Sequence, residues 1–243
     1  MKTKEKAAFR PAMGLASGEL TSISGKFLFM TATATSKTIR LLMAELPEIK
    51  DWKIILNSPI RENSTIVIPP PEIISSKFEV VLSPFITRMN ELGEVYLILI
   101  RGRGTGNVKH QLTNKLFVGI NKGSQVYLHL LRYLNPTVDG ERRVAFYHRN
   151  TSEKRKQEIL NDLKLPLACE EKKLLAVVAT VSLGVGVDIR VKNSVNFGLA
   201  ATMEDLLQEG GRVMRGSSSE TEGRQGYSFF LHKGTLGNYI QVV

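Results

Sequence analysis

The chain has 243 residues, 42% of them hydrophobic and 23% charged, a composition that supports a real core and excludes a disordered chain. A net charge of +10 favours a polyanionic partner, nucleic acid before membrane surface. One cysteine, Cys169, excludes an internal disulfide and a four-cysteine zinc site, and His110, His129, His148 and His232 lack metal-binding spacing, so no metal and no zinc site is expected. No apolar run reaches the ~18 residues of a membrane span, and Met1 leads into a basic stretch with no apolar signal core. An intracellular, reducing compartment and no membrane partner are expected.

Residues 1–26 carry Phe9-Arg-Pro11 and a Gly/Ser-rich stretch with little periodicity. Residues 27–30 read as a buried strand running into the small-residue turn Thr31-Ala-Thr33-Ala-Thr35. A helix is expected over 36–46, capped by Ser36, with Ile39, Leu42 and Met43 on one face and Pro47 ending it. Residues 52–56 and 64–68 read as strands, and the prolines at 69–71 form a stiff break and a candidate boundary. A helix follows from Pro84 to Leu92, with an earlier start left open.

Residues 95–100 are the strongest buried strand, followed by Arg101-Gly-Arg103-Gly-Thr-Gly106 and one or two helices up to Leu134. Asn135-Pro136 and Asp139-Gly140 mark a loop. A strand over 143–147, a helix over 151–163 capped by Thr151 or Ser152, and strands over 174–179 and 194–197 come next. A helix over 203–214 and a strand over 226–231 complete the pattern. From residue 95 onward strands alternate with helices, which argues for an α/β fold with a parallel sheet covered on both faces.

Ligand-binding loops in such sheets lie at the carboxyl ends of strands, so residues 31–35, 101–106, 180–188 and the helix carrying Gln208 are expected to face one edge. Gly184 and Gly186 suit either close backbone approach or a plain tight turn. Asp188 suits either a hydrogen-bonded ligand or a strand-end cap. Gln208, Arg212 and Arg215 stand at i, i+4 and i+7, one face of a helix. Gly210 and Gly211 in that helix each cost on the order of 1 kcal/mol against alanine, which suggests close packing or a bend. Guanidiniums suit the charge on a transferring phosphoryl group, although solvated arginine is the commoner fate. No G-x-x-x-x-G-K-[ST] loop is present; Ser24-Gly25-Lys26 is followed by Phe27, and no apolar strand ends in an Asp-Glu pair.

Together these residues resemble the RecQ family of superfamily-two DNA helicases. Thr31-Ala-Thr33-Ala34 resembles motif III, and Phe9-Arg-Pro11 the tail of the aromatic-rich loop. Ala145-Phe-Tyr-His148, with Arg155 in the next helix, resembles the Tyr-His segment. Residues 178–188 are similar to motif V and 208–215 to motif VI; Leu99-Ile-Arg-Gly-Arg103 stands where motif IV has Cys-Asn-Ser-Arg.

The resemblance implies a remnant of a first RecA-like lobe with the hinge over residues 1–60 and a second RecA-like lobe over 61–243. It implies Arg215 as arginine finger, supported by Arg212 and Gln208. Gly186 and Asp188 would line the ATP cleft; Thr180, Arg103 and His148 would meet nucleic acid; Thr31 and Thr33 would couple the lobes. ATP and Mg2+ are implied cofactors, held mainly by a first lobe whose phosphate loop this chain lacks. Single-stranded or partly duplex DNA is the implied partner, with 3′–5′ movement, roles in repair and recombination, and a nuclear location in a eukaryote.

The chain is thus expected to be part of an ATP-dependent helicase, without ATP hydrolysis of its own. The alternatives are a helicase-derived, ATPase-inactive nucleic-acid-binding or regulatory protein, and a lone domain of another superfamily-two enzyme such as an RNA helicase.

Overall fold

A computed structural model describes residues 26, 28–30, 36–47, 49–56, 61–69, 78–100, 108–137, 140–180, 183, 188–198, 203–216, 221 and 223–231, with the side chains of 108–120 and 204 left out. The chain divides into two compact units, Met1–Pro59 and Ile60–Val243.

In the first unit, helix α1 spans Ser36–Glu45 and ends just before Pro47. Ile39, Leu42 and Met43 share its half-buried side, as their spacing predicts. The two strands expected here do not form. Residues 28–30 and 52–56 have no regular structure, and Leu28, Met30, Ile54, Ile55 and Leu56 are exposed. A strand needs a hydrogen-bonded neighbour, and no strand is found among the described residues of this unit. The rings of Phe29 and Trp52 meet with centroids 5.7 Å apart.

The second unit holds a parallel sheet of six strands: β1 (Ser64–Val67), β2 (Tyr96–Ile100), β3 (Val144–Tyr147), β4 (Ala176–Thr180), β5 (Asn193–Phe197) and β6 (Gly226–Leu231), in the order β1-β6-β5-β2-β4-β3. Every pairing is parallel. β1 is paired into this sheet, so the prolines at 69–71 separate two elements of one unit and are not a boundary. β2 and β4 are buried along their whole length, which is why both read as unbroken apolar runs.

Alternate residues of these strands feed two cores. Tyr96, Ile98 and Ile100 of β2 pack under helices α2 (Phe78–Leu92) and α3 (Val108–Tyr133). Leu97 and Leu99 face the other way, against Ile159 and Leu163 of α4 (Glu153–Lys164). Leu206 of α5 (Met203–Gly210) covers Phe230 of β6 on a smaller third cluster. This is the parallel α/β sheet expected from the alternation of elements, and it agrees with the RecA-like lobe that the resemblance implies.

Three points that the sequence left open are settled. α2 begins at Phe78, so Pro84 lies inside it. The stripe Leu82, Phe85, Ile86 and Met89 is buried, and that packing outweighs the cost of an interior proline. A single helix, α3, spans Val108–Tyr133. For α4 the cap is Ser152, whose hydroxyl accepts from the Arg155 amide at 3.3 Å.

One difference from expectation bears on the site: α5 stops at Gly210, short of the expected end at 214. Gly211 and Arg212 form a turn, Val213 bridges Val191 in parallel, and Met214 takes a left-handed φ of 51°. Gln208, Arg212 and Arg215 therefore do not share a helical face. The helix ends where the Gly210 carbonyl accepts from Ser228 Oγ at 3.0 Å and the backbone presses on Ile66. Close packing of Gly210 onto β1 and β6 is the physical reason for the early stop.

Candidate nucleotide-facing site

Because all six strands point one way, the sheet has a carboxyl edge and an amino edge. Thr180 ends β4, and His148 directly follows β3, at the carboxyl edge. Arg215 and Asp188 are at the opposite edge. The Met214 amide donates to the Val191 carbonyl at 2.9 Å, just before β5 begins. Gly226, the first residue of β6, packs against Met214 and the Lys192 carbonyl. The expectation that every candidate faces one carboxyl edge is corrected: α5 follows the carboxyl end of β5, and the chain from it returns to the amino edge before it delivers Arg215.

There Arg215 lies 4.0 Å from the Asp188 carboxylate, a charge contact beyond hydrogen-bonding distance. Its Nε donates to the Gly211 carbonyl at 3.0 Å, which fixes the guanidinium over the turn after α5. Burial, and then the Arg61 guanidinium, push the Arg215 pKa down, while Asp188 works against them. An arginine stays charged through such a shift.

These residues line a cleft of about 520 Å3. Arg61 and Asn63 enter it from the segment before β1, and Arg190 from the segment that carries Asp188. Met214 and Gly216 flank Arg215 in the chain, and Thr221 also lines the cleft. Arg61 and Arg190 had no signal in the sequence, since neither belongs to a spaced motif.

Arg212, expected beside Arg215, is buried at 4% exposure, and its Nη1 donates to the Leu183 carbonyl at 2.8 Å. It ties the turn after α5 to the segment after β4. Gln208 is exposed on α5. Thr180 is buried at the end of β4. His148 is half-buried; its Nδ1 accepts from the Asn150 amide at 3.2 Å and its ring meets Phe146 at 4.6 Å. Burial, and then Lys156, hold its pKa below the usual range. Thr31, Thr33, Arg103, Gly184 and Gly186 lie outside the described residues.

The amino edge also holds a cluster that sequence reading missed. Glu94 is buried, and its carboxylate accepts from Arg88 Nε and Nη2 at 2.9 Å each, Lys192 Nζ at 2.7 Å, Tyr96 OH at 2.8 Å and Asn193 Nδ2 at 3.0 Å. Burial works to raise its pKa, but these donors outweigh it and hold the group at about 2. Asn193 Oδ1 in turn accepts from the Tyr227 amide at 3.0 Å, so the cluster staples the starts of β2, β5 and β6.

Residues 107–217 match the helicase conserved C-terminal domain. The matched segment carries Asp188, Arg212 and Arg215. Among solved structures, Cas3 of T. fusca with ATP matches at 17% identity with a TM-score of 0.51, covering 79% of this chain and 20% of Cas3. The DUF1998 helicase MrfA, bound to DNA and AMPPNP, matches at 17% identity and TM-score 0.46, covering 70% of this chain and 20% of MrfA. The Lhr helicase of Mycobacterium smegmatis, bound to ssDNA and AMP-PNP, matches at 14% identity and TM-score 0.40, covering 71% and 20%. This chain thus spans about a fifth of the length of these helicases. No curated protein matches. The match is to the helicase conserved C-terminal domain and does not single out RecQ.

No described helix is long and apolar enough to cross a membrane, and no group of three or more His, Cys, Asp or Glu among the described residues is placed to hold a metal ion.

Proposed function

We propose that this chain is the nucleotide-closing lobe, with a remnant of the preceding lobe over residues 1–60, of an ATP-dependent DNA helicase of RecQ type. The observation that carries this reading is the meeting of Arg215 with Asp188 in one basic cleft, within a segment that matches the helicase C-terminal domain. Arg215 is then the arginine finger that neutralises charge on the transferring phosphoryl group. Asp188, and by the resemblance Gly186, have roles in the ATP cleft. Arg212 positions Arg215 through the turn that it anchors.

The cleft fits a nucleotide tail: three guanidiniums and one carboxylate line it. It offers Mg2+ a single carboxylate, so the metal belongs to a phosphate-loop lobe. Cas3, a structure with this fold, was solved with ATP. Thr180, Arg103 and His148 belong to the DNA path, with 3′–5′ movement on single-stranded or partly duplex DNA; Thr31 and Thr33 belong to the coupling between lobes. Work in repair and recombination, and in a eukaryote the nucleus, follow from the RecQ reading.

A second reading, an ATPase-inactive nucleic-acid-binding or regulatory protein, is favoured by the net charge of +10 without a phosphate loop. One experiment separates the two. ATP hydrolysis is measured with and without single-stranded DNA, by this chain and by the chain supplied with a phosphate-loop lobe. Hydrolysis by the two-lobed form only, lost on Arg215→Ala, is the expected result. Hydrolysis that survives Arg215→Ala removes the arginine-finger reading, and none in either form favours the second.

A further inference from the structure

Arg61, Arg190 and Arg215 converge on one cleft from three separate segments, and among the described residues that line it Asp188 is the only carboxylate. Each segment is pinned by backbone hydrogen bonds to the sheet or its surroundings. The Gly226 amide donates to the Asn63 carbonyl at 3.0 Å, and the Ser64 amide to the Arg61 carbonyl at 3.2 Å. The Arg190 amide donates to the Leu163 carbonyl at 2.7 Å, and the Met214 amide to the Val191 carbonyl at 2.9 Å. Their backbones are therefore held in place before any ligand arrives.

We propose that Arg61 and Arg190 join Arg215 to make this cleft a polyphosphate site, which takes pyrophosphate or the triphosphate tail of a nucleotide without a phosphate loop. The proposal rests on the reading that Arg215 meets nucleotide phosphates, and it adds two ligands that no motif assigns.

Like charges gathered in a partly buried space repel one another. The Arg61 guanidinium is near enough to disfavour the charge on Arg215. A ligand with several negative charges relieves that repulsion, and guanidinium forks grip phosphate oxygens bidentately. A volume of about 520 Å3 is that of a small-ligand site. The arginines gather around this one cleft instead of lining a track, which favours a compact polyanion over a nucleic-acid backbone.

The test titrates the whole chain at low salt with pyrophosphate, and then with ATP, by calorimetry. The expected result is one saturable site, weakened about tenfold or more by Arg61→Ala and by Arg190→Ala. Arg61→Lys keeps the charge and binds between the two; Arg132→Ala, on the exposed side of α3, binds as wild type. Melting curves for each variant show that it is folded. Absence of saturable pyrophosphate binding by the wild type overturns the proposal, as does unchanged binding by both alanine variants.

Loss on Arg215→Ala alone also overturns it, but leaves the arginine-finger reading standing. Loss on Arg61→Ala and Arg190→Ala, with Arg215→Ala unaffected, keeps the polyphosphate site and sinks that reading instead. A single-stranded oligonucleotide that depends on these arginines, with no pyrophosphate binding, makes the cleft a backbone track and overturns the proposal.

Discussion

The Arg212 guanidinium donates a 2.8 Å hydrogen bond to the Leu183 carbonyl from a position only 4% exposed. A charged donor to a buried carbonyl contributes on the order of 1.5–3 kcal/mol, and its removal leaves the acceptor dry. Arg212→Ala should therefore lower the unfolding free energy by about 2 kcal/mol. Urea denaturation checks this. Arg212→Lys should recover only part of the loss, since a lysine lacks the planar fork.

Gly226 makes a different demand on the same region. A Cβ there would run into the Met214 side chain and the Lys192 carbonyl, and the latter is backbone that cannot swing away. Gly226→Ala should cost about 2–3 kcal/mol by overpacking and push Met214, and with it Arg215, out of place. Gly210→Ala meets Cδ1 and Cγ1 of the Ile66 side chain and no backbone atom, and should cost less. Thermal melts of the two variants, side by side, give the order.

Glu94 sets the acid limit of the fold. Its carboxyl is held below its ordinary 4.5, at about 2, by Arg88, Lys192 and Tyr96 working against burial. The unfolded chain thus takes up this proton first as pH falls, so stability is full above about 4.5 and drains away toward 2. Glu94→Gln should flatten that part of the profile, at the expense of stability near neutral pH. Denaturation midpoints between pH 2 and 7 would test it, and a parallel acid decline in the variant would rule Glu94 out.

What could be read from the sequence followed from burial on both faces. β2 and β4 are dry on each side, so their apolar runs announced themselves. Leu28–Met30 and Ile54–Leu56 are as apolar, yet no strand pairs with them among the described residues. Periodicity registers a side chain's preference and not the neighbour that satisfies it. Gln208, Arg212 and Arg215 had helical spacing, but the turn depends on a packed Gly210 and a left-handed Met214, which are tertiary facts. Arg61 reaches the cleft only because β1 lies beside β6, and Glu94 meets Lys192 across a long stretch of chain. Such pairings leave no local trace.

Arg215 offers the sharpest separation of fold from function. Its bond to the Gly211 carbonyl is local, and its guanidinium sits among like charges, so Arg215→Ala should change stability by less than about 1 kcal/mol. An arginine finger contributes about 10³-fold or more to phosphoryl transfer. In a two-lobed protein the same substitution should then abolish DNA-stimulated ATP hydrolysis while the melting curve holds. Arg215→Lys should not restore turnover, because a point charge cannot span two phosphate oxygens. Paired melting and ATPase measurements decide the matter: an unfolded variant would make Arg215 a structural residue, and a folded one with full activity would put the transferring phosphate elsewhere.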